Sequence, residues 1–164
     1  MKYALAIGYP LRLRIGEERM VQEIELQERW ITLSLEQAMQ WGKLCVWREL
    51  SETEKPAVEE LMALGTVVSG DSVAEVLSAL GRCVPLRQGF CLPAEEGTAV
   101  QMGREQTLLT GLQERVWLAA NGQNTLEEIL EQLEFYWRDI RPELQELLLE
   151  NLLGLTSMEL CYFL

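Results

Sequence analysis

One pattern occurs twice in this chain, and that repetition limits its architecture more than any single motif. Pro10-Leu11-Arg12 returns as Pro85-Leu86-Arg87, and Ser34-Leu35-Glu36-Gln37 with Trp41 returns as Thr110-Gly111-Leu112-Gln113 with Trp117. The spacing is 75 residues for the first pair (85 − 10) and 76 for the second (117 − 41), so one inserted residue reconciles them. A third match, Ala63-Leu64-Gly65 with Leu152-Leu153-Gly154, lies 89 residues apart (154 − 65), which assigns the second copy about 13 extra residues between its first and last helices. A recurring supersecondary unit predicts two similar modules in tandem.

Composition agrees with that reading. A chain of 164 residues with 48% hydrophobic content can fill two cores of roughly 75 to 80 residues each, near the lower limit of independent stability. Modules this small are expected to gain by packing on each other. There is no histidine, which removes Ser-His-Asp and Cys-His catalysis, His-ligated zinc and haem, and an imidazole proton switch. Cys45, Cys83, Cys91 and Cys161 form no CxxC pair and stand among apolar neighbours, which reads as buried thiols in a reducing, cytoplasmic setting. The apolar run at residues 3–7 is too short for a signal core or a membrane span. A net charge of −12 opposes polyanions.

The patterning along the chain predicts an α+β protein. Residues 9–15 alternate apolar and basic side chains, Gly16-Glu17-Glu18 is a turn, and residues 20–31 return as the second arm of a hairpin with one wet face. Ser34 and Gln37 make a capping box at the start of a helix through Leu35, Ala38, Met39 and Gly42. Ser51, Glu54 and Pro56 start another helix, which runs through Val58, Leu61, Met62 and Leu64 and stops at Gly65. A short strand at residues 66–68 follows, then a helix that begins at Ser72 and ends near Gly81.

The second copy repeats the plan. Residues 84–90 and 98–102 are strands, and Leu108-Leu109 continues the sheet. Thr110 caps a helix ending at Asn121-Gly122, Thr125 to Glu128 is a further capping box, and Pro142 begins a last helix that Gly154 ends. Residues 158–164 are expected to pair with an existing strand. Strands followed by helices with sharp turns give two winged-helix-like repeats, 1–70 and 83–164, joined by a connector helix at 71–82. Only residues 43–50 remain for a middle helix in the first copy.

No phosphate loop, nucleophile elbow or cluster of acidic ligands is present, so no catalytic residue, metal or cofactor is assigned. The adjacent pairs Glu17-Glu18, Glu59-Glu60, Glu95-Glu96 and Glu127-Glu128 point their side chains in different directions and read as solvated charge. Trp41 and Trp117, in equivalent helices, read as core residues. Phe135, Tyr136 and Trp137 cannot all face one core, so at least one is expected to be exposed or to bury itself against a partner or the other copy. A DNA-binding regulator is the alternative function. It needs Arg12, Arg14, Arg19, Lys43 and Arg48 on one face, because the helix in the recognition position is net acidic in both copies.

The second copy resembles the PqqD-like family through Pro85-Leu86-Arg87-Gln88-Gly89-Phe90, the Gly97 turn into Val100-Gln101-Met102, Val116-Trp117, Asn121-Gly122, Thr125-Leu126-Glu127-Glu128-Ile129 and the final leucine-rich helix. The likeness covers residues 84–155 and, more faintly, residues 9–66. It departs at Leu109-Thr110, where the family has Leu-Asn, at Asn121, where aspartate is common, and in the extra terminal strand. The resemblance implies a winged-helix-like fold that recognises ribosomally made peptides by adding them as a strand. It places a peptide groove between Thr98, Val100 and Met102 on one side and Leu144, Gln145 and Leu148 on the other, with an acidic rim from Glu143 and Glu146 that favours a basic or neutral peptide. The same edge could instead be closed by the other copy or by the terminal strand. The expected function is thus a non-catalytic adaptor for a peptide or protein partner, without membrane attachment and compatible with a homodimer.

Overall fold

The computed structural model describes residues 1–15, 20–136 and 141–164, and all their side chains except those of Val73, Tyr136, residues 141–146 and Leu149. The expected turn at Gly16-Glu17-Glu18 lies outside the described residues, as do Arg19 and Trp137. The described chain is mixed α and β, with small antiparallel sheets and six helices. It divides into two units, residues 1–80 with Phe163 and Leu164, and residues 81–162.

In the first unit, β1 (Tyr3–Ala6) lies between β5 (Arg48–Glu49) and β6 (Val67–Gly70). A second sheet has the order β2 (Tyr9–Ile15), β3 (Met20–Leu26), β4 (Arg29–Ser34). Helix α1 (Leu35–Lys43) follows β4 directly, with Ser34 and Gln37 making the full capping box. Its buried residue is Trp41, whereas Leu35 and Met39 are exposed. Helix α2 (Lys55–Ala63) carries a proline in its first turn and buries Val58 and Leu61. Gly65, at φ 76°, closes it: its N–H donates to Met62 O, and the Thr66 N–H donates to Leu61 O. Helix α3 (Val73–Leu80), expected as a connector, packs on β1 and β6 and groups with the first unit.

The second unit starts with β7 (Pro85–Arg87) and continues through β8 (Phe90–Leu92), β9 (Thr98–Met102) and β10 (Glu105–Leu109). One sheet has the order β8, β9, β10, and β7 pairs with β11 (Cys161–Phe163). Helices α4 (Gly111–Ala119), α5 (Leu126–Tyr136) and α6 (Arg141–Ser157) follow the hairpin, and α6 packs on α4 and α5. Thr125 and Glu128 form the expected capping box of α5. Gly154 does not end α6, which runs on to Ser157. Leu152, Leu153 and Leu155 are buried on either side of it, and their packing outweighs the modest helix penalty of one glycine. The terminal segment pairs with β7 as expected.

The same hydrogen bonds recur in both units at matched places. The Ala6 N–H donates to Leu44 O (2.9 Å) and the Arg87 N–H to Ala120 O (2.7 Å). The Ile7 N–H donates to Thr66 O and the Gln88 N–H to Leu160 O, both at 2.9 Å. Gly8 (φ 106°) and Gly89 (φ 94°) follow, where a Cβ would collide with Ile24 Cγ2 and Val100 Cγ1 respectively. Trp41 Nε1 donates to Ile7 O and Thr66 O, and Trp117 Nε1 donates to Gln88 O.

These contacts keep the match of Trp41 with Trp117 but change two others. Pro85-Leu86-Arg87 corresponds to Ala4-Leu5-Ala6 in β1, whereas Pro10 lies beyond Gly8 in β2. At the far end, Gly65 corresponds to Glu159, because the Glu159 N–H donates to Thr156 O and the Leu160 N–H to Leu155 O. The offset therefore rises from 76 at Trp41 (117 − 41) to 94 at Gly65 (159 − 65), and the second unit uses the difference for α5 and a longer last helix.

Candidate functional site

In the groove expected beside it, β9 is not itself an edge; the edges of its sheet are β8 and β10. β9 is the middle strand of its sheet, paired with β8 through residues 99–101 and with β10 along its whole length. Thr98 and Val100 are buried, and Thr98 Oγ1 donates to Glu114 Oε1 at 2.6 Å. Met102 is half-buried and opposite Glu105 at the hairpin end. Leu148 is 0% exposed, a core residue of the second unit. Leu144 and Gln145 lie on α6, and their side chains are not among those described, like those of Glu143 and Glu146. Of the aromatic triplet, Phe135 is exposed on α5, Tyr136 ends that helix, and Trp137 lies outside the described residues.

The first unit does present a strand edge, at β2. Among the described residues this strand pairs with β3 alone, at one end of the sheet, and its side chains from Leu11 to Ile15 are exposed. A bulge between Pro10 and Arg12 interrupts the register, after which Arg12, Leu13, Arg14 and Ile15 stand opposite Glu23, Gln22, Val21 and Met20. Alternation then sorts the side chains. Arg12 and Arg14 share one face with Glu23. Leu13 and Ile15 share the other with Met20 and with the buried Ile24 nearer the core. Ile15 is 83% exposed.

Glu23 holds the basic face together. Its carboxylate is almost wholly covered, with Oε2 at 2.8 Å from Arg12 Nε and Oε1 at 2.6 Å from Arg14 Nε. The hydrogen bond from Arg12, supported by the charges of both guanidinium groups, holds the Glu23 carboxyl below the ordinary carboxylate range, although burial acts the other way. A guanidinium has five N–H donors, so each arginine keeps donors beyond the Nε engaged on Glu23. Both guanidinium groups reach solvent.

Of the other cations expected to form a duplex-binding strip, Lys43 and Arg48 have local partners. Arg48 pairs with Glu54, whose carboxyl is pushed down to about 2, first by hydrogen bonds from the side chain and backbone of Ser51 and then by Arg48. Lys43 contacts Gln40 on α1, and Arg19 lies outside the described residues. Glu59 and Glu60 are exposed on α2.

Of the four thiols expected to be buried, Cys83 and Cys161 are buried, Cys45 is half-buried and Cys91 is exposed. Burial pushes the Cys83 thiol up to about 11 and the Cys161 thiol up to about 12, so both are protonated near neutral pH and are poor nucleophiles. Among the described residues no three cysteine, aspartate or glutamate side chains gather to hold a metal, and no helix is long and apolar enough to cross a membrane. A cleft of about 410 Å³ between α1 and α2 is lined by Ser34, Glu36, Gln37, Gln40, Thr53 and Glu60 among others. No protein-family model, curated protein or solved structure matches the chain.

Proposed function

We propose that this protein is a non-catalytic adaptor built from two winged-helix-like repeats, which binds a peptide or protein segment in extended form. The edge of β2 along residues 11–15, unpaired among the described residues, carries this reading. A strand with one free edge offers main-chain donors and acceptors to an added strand, and its alternating side chains supply selectivity. The matched hydrogen bonds around Trp41 and Trp117 support descent of both units from one module. A role in recognising ribosomally made peptides, as in the PqqD-like family, belongs to the same proposal, with the binding edge moved from β9 to β2.

The DNA-binding alternative draws less support. Arg48 is paired with Glu54, α2 exposes Glu59 and Glu60, and a net charge of −12 opposes duplex approach.

Selection from a random linear-peptide display library on the immobilised full chain tests the proposal. Enriched peptides should bind as isolated synthetic segments and shift amide signals of β2 and β3 in NMR spectra. No enrichment, together with salt-sensitive binding to random duplex DNA, would replace the adaptor reading with the regulator.

A further inference from the structure

We infer that the β2 edge selects an extended segment in which acidic and apolar residues alternate, with the acidic side chains meeting Arg12 and Arg14 and the apolar ones extending the Leu13 and Ile15 face. The inference rests on the adaptor reading and assigns the chemistry of the partner. A strand laid beside residues 12–15 places its alternate residues on the same two faces as β2. On one face it meets two solvent-reaching guanidinium groups that share a single carboxylate, so the pair retains a net positive charge. On the other it meets Leu13 and Ile15, 55% and 83% exposed, with Met20 beside them at 48%.

Charge decides between the two simplest occupants. A second copy of the chain pairing edge to edge through its own β2 in antiparallel fashion around Leu13 would set Arg12 opposite Arg14 of the other copy, and like charges directly opposite destabilise a ladder. The chain's overall charge of −12 opposes both occupants, so the local pair of arginines decides between them. A segment carrying carboxylates at alternate positions meets the reverse situation, because arginine donors remain available for charge-assisted hydrogen bonds. Glu23 then has two effects. It fixes both arginines in place, and it competes with the incoming carboxylates.

The test is fluorescence anisotropy with the full chain and three labelled, end-blocked octapeptides that alternate valine with glutamate, lysine or serine. The glutamate peptide should bind at least tenfold more tightly than the other two, and lose most of that advantage between about 0.05 and 0.5 M salt. Glu23→Gln removes the competing carboxylate and should tighten its binding about threefold or more, whereas Arg12→Gln with Arg14→Gln should abolish the preference. Because the double variant leaves Glu23 covered and unpaired, its fold is checked by circular dichroism. Glu23→Gln and a pair of N-methylated peptides decide the matter if it unfolds. Methylation of one alternating set of amides should block binding while methylation of the other set is tolerated. Equal affinity for glutamate and lysine peptides, or equal tolerance of both methylation patterns, overturns the inference. If display selection enriches peptides that do not compete with the glutamate probe, the adaptor reading stands and this assignment of its partner falls.

Discussion

Gly65 and Glu159 occupy the same place at the ends of α2 and α6, with φ of 76° and 56°, and each donates its N–H to the carbonyl three residues earlier. Glycine meets that conformation without a steric penalty, whereas a glutamate must hold its Cβ against the carbonyl. Glu159→Gly is therefore expected to raise stability by about 0.5 to 1 kcal/mol, and Gly65→Ala to lower it by about 1 kcal/mol. Urea denaturation of both variants checks the pair. Since a Cβ at Gly65 would meet only Arg29 Nη2, at 3.8 Å, the expected loss is a backbone effect.

The two first helices begin at matched residues but are capped differently. Ser34 accepts from the Gln37 N–H and the Gln37 side chain accepts from the Ser34 N–H, while Thr110 makes no side-chain cap bond. Ser34→Ala should cost about 1 kcal/mol, and Thr110→Ala no more than a few tenths. Equal losses in thermal unfolding would mean that the caps are equivalent in solution.

Leu148 was the sequence's leading candidate for a groove residue, and its burial gives a different expectation. Leu148→Ala should destabilise the second unit by about 2 to 5 kcal/mol, and Leu148→Glu should unfold it, since a charge in that core has no partner. Loss of dispersed amide signals from the second unit in NMR spectra reports the outcome. A folded Leu148→Glu variant would return this residue to the surface.

Acid should weaken the first unit in a defined direction. Glu54 sits at about 2 against an ordinary 4.5, and Glu23 is also held low. Groups depressed in the folded state contribute stability fully above their unfolded value, and that contribution disappears as pH falls through the folded value. Stability of the native chain should decline from about pH 4.5 toward pH 2, with a shallower decline in Glu54→Gln. Urea midpoints measured across that range decide it.

Signals that act within a few residues were legible in the sequence. Ser34 with Gln37, Gly65, and Thr125 with Glu128 mark helix ends by bonds the local chain makes with itself, Pro56 marks one by its fixed φ, and the structure places those ends there. The equivalence of Trp41 and Trp117 was legible too, because their place in the helix after the hairpin is kept along with their type. Gly154 misled for a related reason. A glycine stops a helix only where packing does not carry the helix past it, and three buried leucines do so here.

The sequence by itself determined the mixed α and β character and the helix ends set by Ser34 with Gln37, by Gly65 and by Thr125 with Glu128, because each depends on neighbouring residues. Only the tertiary structure decided that Gly8 matches Gly89, that β9 is enclosed between two strands, and that Arg12 and Arg14 converge on Glu23 at an open edge. Those relationships depend on register and strand order, which side chains distant in the chain set by packing against one another, and no local pattern encodes which edge of a sheet remains unpaired.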